Sequence, residues 1–230
     1  MHIHGLQKLA MVDYPGKLAA TVFTGGCNLR CPFCHNALLV TRLAETPEIP
    51  EQEVLDFLAS RRGLLDGVVL TGGEPLLQPD AADFLRKVRE LGFAVKLDTN
   101  GCDPARLAEI LNQGLVDYVA MDVKNAPARY AETVGIPGFN PAPVEESIRL
   151  LRKSTVDYEF RTTVCAPLHT PEEMAGIGRW LKGAKRYFLQ PFVDSGELVG
   201  SGMKPLTKEE IEALRDSVLP DIPSTQIRGQ

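Results

Sequence analysis

Short apolar runs alternate along this chain with amphipathic stretches of helical spacing. Six runs predict strands, at Ala20–Phe23, Val68–Leu70, Ala94–Asp98, Tyr118–Met121, Tyr158–Thr163 and Tyr187–Leu189. Helical spacing predicts helices at Glu51–Ser60, Asp80–Leu91, Pro104–Gln113, Val144–Lys153 and Pro171–Leu181, with a C-terminal helix at Lys208–Leu214. Strands that alternate with helices indicate right-handed crossovers and a mainly parallel sheet. We therefore expect an α/β fold, a partial (β/α)6 barrel.

The length and the charge of the chain limit what it can be. With 230 residues, 44% of them hydrophobic, it can bury one substantial core, and we expect one domain over residues 1–230. The net charge of -5 comes from interspersed acidic and basic residues, so neither a nucleic acid nor an anionic membrane surface is expected as a partner. No apolar stretch reaches the roughly 18 residues of a membrane span, and we expect a cytoplasmic protein.

The cysteines point to metal chemistry rather than to disulfides. There are five of them, an odd number, and three lie between positions 27 and 34. Such packing suits metal ligation in a reducing compartment. Cys102 and Cys165 stand apart from this group, and core packing is the expectation for both.

Polar residues follow the predicted strands repeatedly. In parallel α/β folds the ligand lies at the carboxyl ends of the strands, so these residues should share one rim. They are Thr24–Cys27, Thr71–Glu74, Thr99–Gly101, Asp122–Lys124, Val164–Cys165 and Gln190–Pro191. The first of these segments opens a loop that we expect to hold a cluster after the first predicted strand.

That loop carries three thiols at the spacing Cys27-x-x-x-Cys31-x-x-Cys34. A four-iron cluster held by three cysteines keeps one iron open for an exogenous ligand, whereas a structural zinc needs four protein ligands. His35 could supply the fourth ligand of a zinc site, so spacing alone leaves both metals open.

Three further features have a structural alternative. Gly72–Glu74 would let a ligand approach the backbone and pair an ammonium with a carboxylate, but the same tripeptide occurs in ordinary turns. Asp98 and Asp122 are oxygen donors at neighbouring strand ends, or else helix caps. Arg161 suits a carboxylate bidentately, or else it pairs with an acidic residue such as Glu159.

The loop Cys27–Asn36 resembles the cluster loop of the radical S-adenosylmethionine superfamily, including the aromatic Phe33 before the third cysteine. Thr71–Pro75 lies where that superfamily carries its Gly-Gly-Glu segment, which binds the methionine amino group. The resemblance implies S-adenosylmethionine and a [4Fe–4S] cluster held by Cys27, Cys31 and Cys34. With no second cysteine-rich insert, we expect one cluster.

Lys96–Gly101 and Met121–Lys124 resemble segments of glycyl-radical-enzyme activases that line the sulfonium and ribose side of the cofactor. The resemblance implies a site that includes Asp98, Thr99, Asp122, Lys124 and Arg161. It also implies a monovalent cation that Asp98, Thr99 and Asp122 could hold near the cofactor carboxylate. By the same resemblance, the Phe33 and His35 rings flank the adenine.

Within this group, Gly5–Lys8, Val12–Gly16 and the Cys34–Asn36 ending are similar to the activating proteins of anaerobic ribonucleoside-triphosphate reductases. The resemblance implies cleavage of S-adenosylmethionine to a 5'-deoxyadenosyl radical, which makes a glycyl radical on that reductase or a related glycyl radical enzyme. It also implies flavodoxin or ferredoxin as the electron donor. Two alternatives stay open: a radical enzyme acting on a small molecule or another protein, and a non-catalytic zinc-binding interaction module.

Overall fold

A computed structural model, which describes residues 1–229, contains one eight-stranded sheet whose strand order follows the chain. The strands are β1 Ile3–Ala10, β2 Ala19–Thr24, β3 Gly67–Gly72, β4 Ala94–Thr99, β5 Tyr118–Asp122, β6 Asp157–Val164, β7 Tyr187–Pro191 and β8 Thr225–Ile227. β1 pairs with β2 in antiparallel orientation, and every later pair is parallel. Since β1 and β8 are the two ends of this order, the sheet is an open, partial barrel.

The α/β class and the mainly parallel sheet are confirmed, but the count of six strands is wrong. The six predicted strands are β2 to β7, so the loop after the first predicted strand follows the second strand of the chain. β1 was missed because it is an edge strand whose Gln7, Lys8 and Leu9 are exposed, which hides the apolar pattern. β8 has only three residues and gives too short a pattern to detect.

Helices cover the outer face of the sheet. They are α1 Ala37–Val40, α2 Glu51–Ser60, α3 Ala81–Glu90, α4 Pro104–Asn112, α5 Tyr130–Thr133, α6 Ala142–Lys153, α7 Pro171–Trp180 and α8 Lys208–Val218. The six predicted helices are present within a few residues, while α1 and α5 are single turns without enough length for a periodic pattern. Among residues 1–229, no helix is long and apolar enough to cross a membrane.

The two faces of the sheet differ in character because alternate strand residues point to opposite sides. Val68 and Leu70 of β3 pack outward in one large cluster with helix residues such as Leu58 and Phe84. Val69 belongs to a second, small apolar cluster at the floor of the barrel, formed with Tyr14, Ala19, Tyr118 and Ala120. Above this floor the lumen is polar, which leaves room there for chemistry.

An ion pair links the C-terminal end of the sheet to the lumen: Arg228, which follows β8, pairs with Glu159 of β6. Both Oε atoms of Glu159, which has no exposed side-chain surface, accept hydrogen bonds from Arg228 at 2.6 and 2.8 Å. Tyr118 donates a further bond to Glu159 at 2.6 Å, and the Arg228 guanidinium lies 4.0 Å from the centre of the Phe188 ring. Burial opposes ionisation of Glu159, but Arg228 and Tyr118 outweigh it and lower its pKa.

Removing only one member of this ion pair should lower the free energy of unfolding more than removing both charges does. We expect Arg228→Met to lower the free energy of unfolding by about 2–3 kcal/mol, because it leaves Glu159 buried without its counter-ion. Adding Glu159→Gln should restore most of the loss, since glutamine still accepts the Tyr118 bond. Urea unfolding of the two single variants and the double variant measures this, and an Arg228→Met protein as stable as the wild type would contradict it.

Candidate active site

The candidate cluster loop, residues 25–36, crosses the carboxyl ends of β2 and β3. Glycines allow two backbones to meet there: a Cβ on Gly73 would lie 2.0 Å from the Gly26 carbonyl oxygen. Gly26 itself has φ of +86°, which favours glycine. The main chain of Glu74 donates to the Gly26 carbonyl at 2.8 Å, so the loop and the Gly-Gly-Glu segment are held edge to edge.

All three thiols of this loop line one cavity of about 400 Å³, within the range of about 300–1,000 Å³ typical of small-molecule sites. Cys31 is buried, whereas Cys27 and Cys34 are partly exposed. Burial raises the pKa of Cys27, and raises that of Cys31 to about 12. A metal must therefore displace the protons from these thiols, as thiolate ligation always requires.

The donor set fits a cluster with an open coordination site. Three soft thiol donors lie on one wall, and oxygen and nitrogen donors lie around the rest of the cavity. In residues 1–229, no three or more His, Cys, Asp or Glu side chains are grouped to hold one metal ion. The side chain of His35, the suggested fourth zinc ligand, lies on the exposed side of the loop while still lining the cavity.

Glu74 lies at the second wall, almost completely buried. Its carboxylate accepts hydrogen bonds from the Thr99 hydroxyl at 2.7 Å, the Asn100 amide at 2.7 Å and the Leu76 amide at 3.1 Å. Burial raises the pKa of Glu74 to about 7, against the opposing effect of these bonds. The carboxyl can thus change charge near neutral pH.

The third wall is a network of paired charges on β4, β5 and β6 and just after β5. Arg161 donates to Asp122 at 2.9 Å and to Asp98 at 3.3 Å, while Lys96 binds Asp98 at 2.5 Å and Lys124 binds Asp122 at 3.1 Å. Burial opposes ionisation of Asp122, but Arg161 and Lys124 outweigh it and hold its pKa at about 2. Asp122 therefore stays ionised at every physiological pH.

Every residue predicted for the site lines the cavity, namely Cys27, Phe33, Cys31, Cys34, His35, Gly72, Gly73, Glu74, Asp98, Thr99, Asp122, Lys124 and Arg161. Neither Asp98 nor Asp122 is a helix cap, and Arg161 pairs with them instead of with Glu159. The Thr99 hydroxyl, however, turns to Glu74 and away from the two aspartates. The three suggested cation ligands therefore do not converge through their side chains.

Two residues outside the predicted set of cofactor-binding residues support the site. The Asn100 side-chain amide donates to Asn28 at 2.8 Å and lies 3.9 Å from the Cys27 sulfur, so it braces the start of the loop. His169 is buried with its ring edge-on to Phe33, and its Nε2 lies 2.9 Å from the Lys124 carbonyl oxygen. Asn100 lies in the predicted rim segment Thr99–Gly101, although no role was predicted for its side chain, whereas His169 gives no signal in the sequence.

The polar lumen was also missed, and it extends the cavity below the rim. Gln7, Asp13, Thr21 and Thr163 line it, together with Gln190 of the predicted rim segment Gln190–Pro191. The signal was present in the strands: a sheet covered on both faces should be apolar throughout, yet Glu159, Arg161 and Thr163 alternate along β6. Cys102 and Cys165 do not line the cavity; Cys165 lies in the outer core and Cys102 packs against it.

The profile of the radical SAM superfamily matches residues 21–181, which covers the sheet from β2 to β6 and the whole candidate loop. The chain belongs to this superfamily. Membership implies a [4Fe–4S] cluster and S-adenosylmethionine as its cofactors and identifies the chain as an enzyme of this class.

Two relatives with names indicate which radical SAM enzymes this chain is similar to. A Methanocaldococcus jannaschii protein with the provisional name glycyl-radical enzyme activating enzyme is 35% identical over 197 residues, 83% of this chain and 79% of that protein. The pyruvate formate-lyase-activating enzyme of Clostridium pasteurianum is 35% identical over 128 residues, 54% of this chain and 52% of that enzyme. The chain therefore resembles proteins named as activases of glycyl radical enzymes.

Solved structures share the fold. SuiB of Streptococcus suis, solved with its precursor peptide SuiA, has a TM-score of 0.72 at 15% identity over 91% of this chain and 48% of that one. A domain of a pyruvate-formate lyase-activating enzyme from Bacteroides vulgatus has a TM-score of 0.57 at 17% identity, over 71% of this chain and 99% of that domain. At these identities the likeness concerns the fold alone.

Proposed function

We propose that this radical SAM enzyme is a glycyl-radical-enzyme activase, acting on an anaerobic ribonucleoside-triphosphate reductase or a related glycyl radical enzyme. One observation carries the proposal: the three thiols open onto a cavity that continues from the rim into a polar lumen. The similarity to the M. jannaschii protein, which extends over 83% of this chain, supports it.

The cavity walls suggest a role for each residue. Cys27, Cys31 and Cys34 would hold the cluster, and Glu74 beside the close backbone turn of Gly72 and Gly73 would pair with the methionine ammonium. Asp98, Thr99, Asp122, Lys124 and Arg161 would line the carboxylate, sulfonium and ribose side. Phe33 and His35 would flank the adenine.

When bound, the cluster supplies one electron that cleaves S-adenosylmethionine to methionine and a 5'-deoxyadenosyl radical. The protein's own residues position and shield the reacting groups. The network of Asp98, Asp122 and Arg161 holds both carboxylates in fixed positions, so little reorganisation is needed when a charged ligand binds. The buried floor that contains Tyr14 and Tyr118 closes the lumen from below.

The polar side chains that line the lumen favour a polypeptide as the substrate. Gln7, Thr21, Thr163 and Gln190 offer amide and hydroxyl groups, which can bond the amides and carbonyls of a main chain. Asp13 is held there by the Thr21 hydroxyl at 2.7 Å. An exposed glycine loop of a partner could reach the reacting carbon through such a passage, and a flavodoxin or ferredoxin would supply the electron.

The proposal is tested by offering the reconstituted protein an anaerobic ribonucleoside-triphosphate reductase, with its glycines deuterated, as the candidate partner. We expect the radical signal of the partner in electron paramagnetic resonance and deuterium in the 5'-deoxyadenosine. Cleavage without either would contradict the activase proposal and favour a radical enzyme that acts on another substrate. Varying sodium and potassium in the same assay tests the monovalent cation.

The charge on Glu74 should make cofactor binding depend on pH. Its pKa is about 7, so the carboxyl is mostly protonated at pH 6 and mostly ionised at pH 7.5. Only the ionised form pairs with an ammonium, and the affinity for S-adenosylmethionine should rise roughly eightfold over this interval. Anaerobic equilibrium dialysis measures it.

Glu74→Gln is the matched control for that dialysis, since it keeps the shape and loses the titration. It should bind weakly and with a nearly flat pH profile. A wild-type profile that falls with pH, or one that the glutamine variant reproduces, would contradict the assignment.

A further inference from the structure

A long irregular segment follows β7 and returns across the candidate cluster loop before α8 begins. Two anchors hold its ends: the Phe192 amide donates to the Val164 carbonyl at 3.1 Å, and Ala166 and Lys204 exchange two main-chain bonds of 3.0 Å. We call residues 193–203, which lie between these anchors, the strap.

The strap is bonded to the part of the cluster loop that carries two thiols. The Val199 amide donates to the Cys34 carbonyl at 3.1 Å, and the Gly200 amide donates to the Pro32 carbonyl at 3.0 Å. Both acceptors lie within the four residues from Cys31 to Cys34. Any opening of the strap thus releases two main-chain constraints on this part of the loop.

Gly200 is required by close approach and not by backbone conformation. Its φ lies outside the left-handed region, but an added Cβ would lie 2.6 Å from the Cβ and 2.8 Å from the Cα of Pro32. Contacts this short force a displacement. We expect the strap to be displaced and not the cluster loop. Residues 193–197 of the strap are exposed, whereas Cys31 and Phe33 beside Pro32 are buried.

Side chains hold the strap only lightly. Leu198 and Met203 pack against the outer core, and Glu197 forms a 3.5 Å ion pair with Arg42 in which both side chains are well exposed. Such a surface pair contributes little. The two main-chain bonds and the fit of Gly200 against Pro32 are therefore the main attachment to the loop.

We propose that the strap positions the Cys31–Cys34 half of the cluster loop and sets how long the protein retains its cluster, with Gly200 as the positioning residue. The inference rests on the proposed role of Cys31 and Cys34 as ligands. Coupling between two sites is reciprocal. If a closed strap favours a bound cluster, a bound cluster must favour a closed strap.

Hydrogen exchange tests this reciprocity in the unaltered protein. Peptides that cover residues 197–203 should exchange more slowly in the reconstituted protein than in the apoprotein, because the Val199 and Gly200 amides become better protected. The exposed residues of α8, such as Glu209, provide an internal reference that should not change. Equal exchange of the strap in both forms would overturn the proposal.

Substitutions in the strap test the reverse effect, that of the strap on retention of the cluster. Gly200→Ala and Gly200→Val are compared with Ser201→Ala, an exposed neighbour in the same strap, after anaerobic reconstitution and removal of free iron. The loss of charge-transfer absorbance is then followed in the presence of an iron chelator. We expect the rate constant to rise about tenfold for alanine and further for valine, and to stay unchanged for Ser201→Ala.

Cluster loss at the wild-type rate in both Gly200 variants would overturn the proposed role of the strap. The same would follow if Ser201→Ala lost its cluster as fast as they do. A wild-type protein that never takes up a cluster would instead overturn the proposed ligands, so the two failures are distinguishable.

Discussion

Cys31→Ala is expected to abolish both cluster assembly and cleavage of S-adenosylmethionine while leaving the fold intact. The Cys31 side chain is buried in the wall of the cavity and lies between the two other proposed ligands in the loop. Its removal leaves two thiols, too few to hold a four-iron cluster with one open site. Iron content, absorbance and 5'-deoxyadenosine formation after anaerobic reconstitution measure the effect.

Cys102→Ala is the matched control for this variant. Cys102 is also partly buried near the loop, and burial raises its pKa to about 12, but it is not a proposed ligand. This variant should keep its cluster and its cleavage activity. Normal cleavage by Cys31→Ala, or a cluster lost equally in both variants, would contradict the ligand assignment.

Arg161→Met should weaken both the fold and the binding of S-adenosylmethionine. Arg161 is the link between Asp98 and Asp122, and its loss leaves each carboxylate with a single lysine partner. Removing one member of a buried charge network typically costs about 3–5 kcal/mol. We expect about 3 kcal/mol here, and at least a tenfold loss of affinity for the cofactor.

The same variant should raise the pKa of Asp122. A carboxyl with a depressed pKa adds stability above its unfolded pKa, and that stability is lost as the pH falls through the folded pKa, here about 2. Without Arg161 the folded pKa of Asp122 lies closer to the unfolded one, so this contribution to stability is smaller and its loss is complete at a higher pH. Arg161→Lys keeps the charge but cannot span both aspartates, so its effects should be intermediate. Acid unfolding and calorimetric titration with S-adenosylmethionine measure these changes; a loss of stability below about 1 kcal/mol would contradict this account.

The parallel core of the fold was predictable because its strands contain short, β-rich apolar runs that alternate with stretches of helical spacing. β2 to β7 were found for this reason, whereas β1 was hidden by its exposed edge and β8 by its length. Only the pairing of Ile3–Ala10 with β2 reveals β1 as a strand. Six strands were predicted because β1 and β8, the two edge strands, lack the apolar runs by which the others were recognised.

The site was predictable where chemistry lies in contiguous residues. The three cysteines and Gly72–Glu74 stand in short motifs, and the structure places them around one cavity. The direction of Thr99 was missed, although the alternation of side chains along a strand places Asp98 and its neighbour on opposite sides of β4. The strap left no signal, since its bonds to the cluster loop come from main-chain amides far away in the sequence.

The most direct test of the central claim is anaerobic reconstitution with iron and sulfide, followed by dithionite reduction in the presence of S-adenosylmethionine. Chromatography should show 5'-deoxyadenosine and methionine in equal amounts, dependent on the reductant and absent with Cys31→Ala. A colourless protein that binds zinc stoichiometrically and leaves S-adenosylmethionine intact would contradict the account.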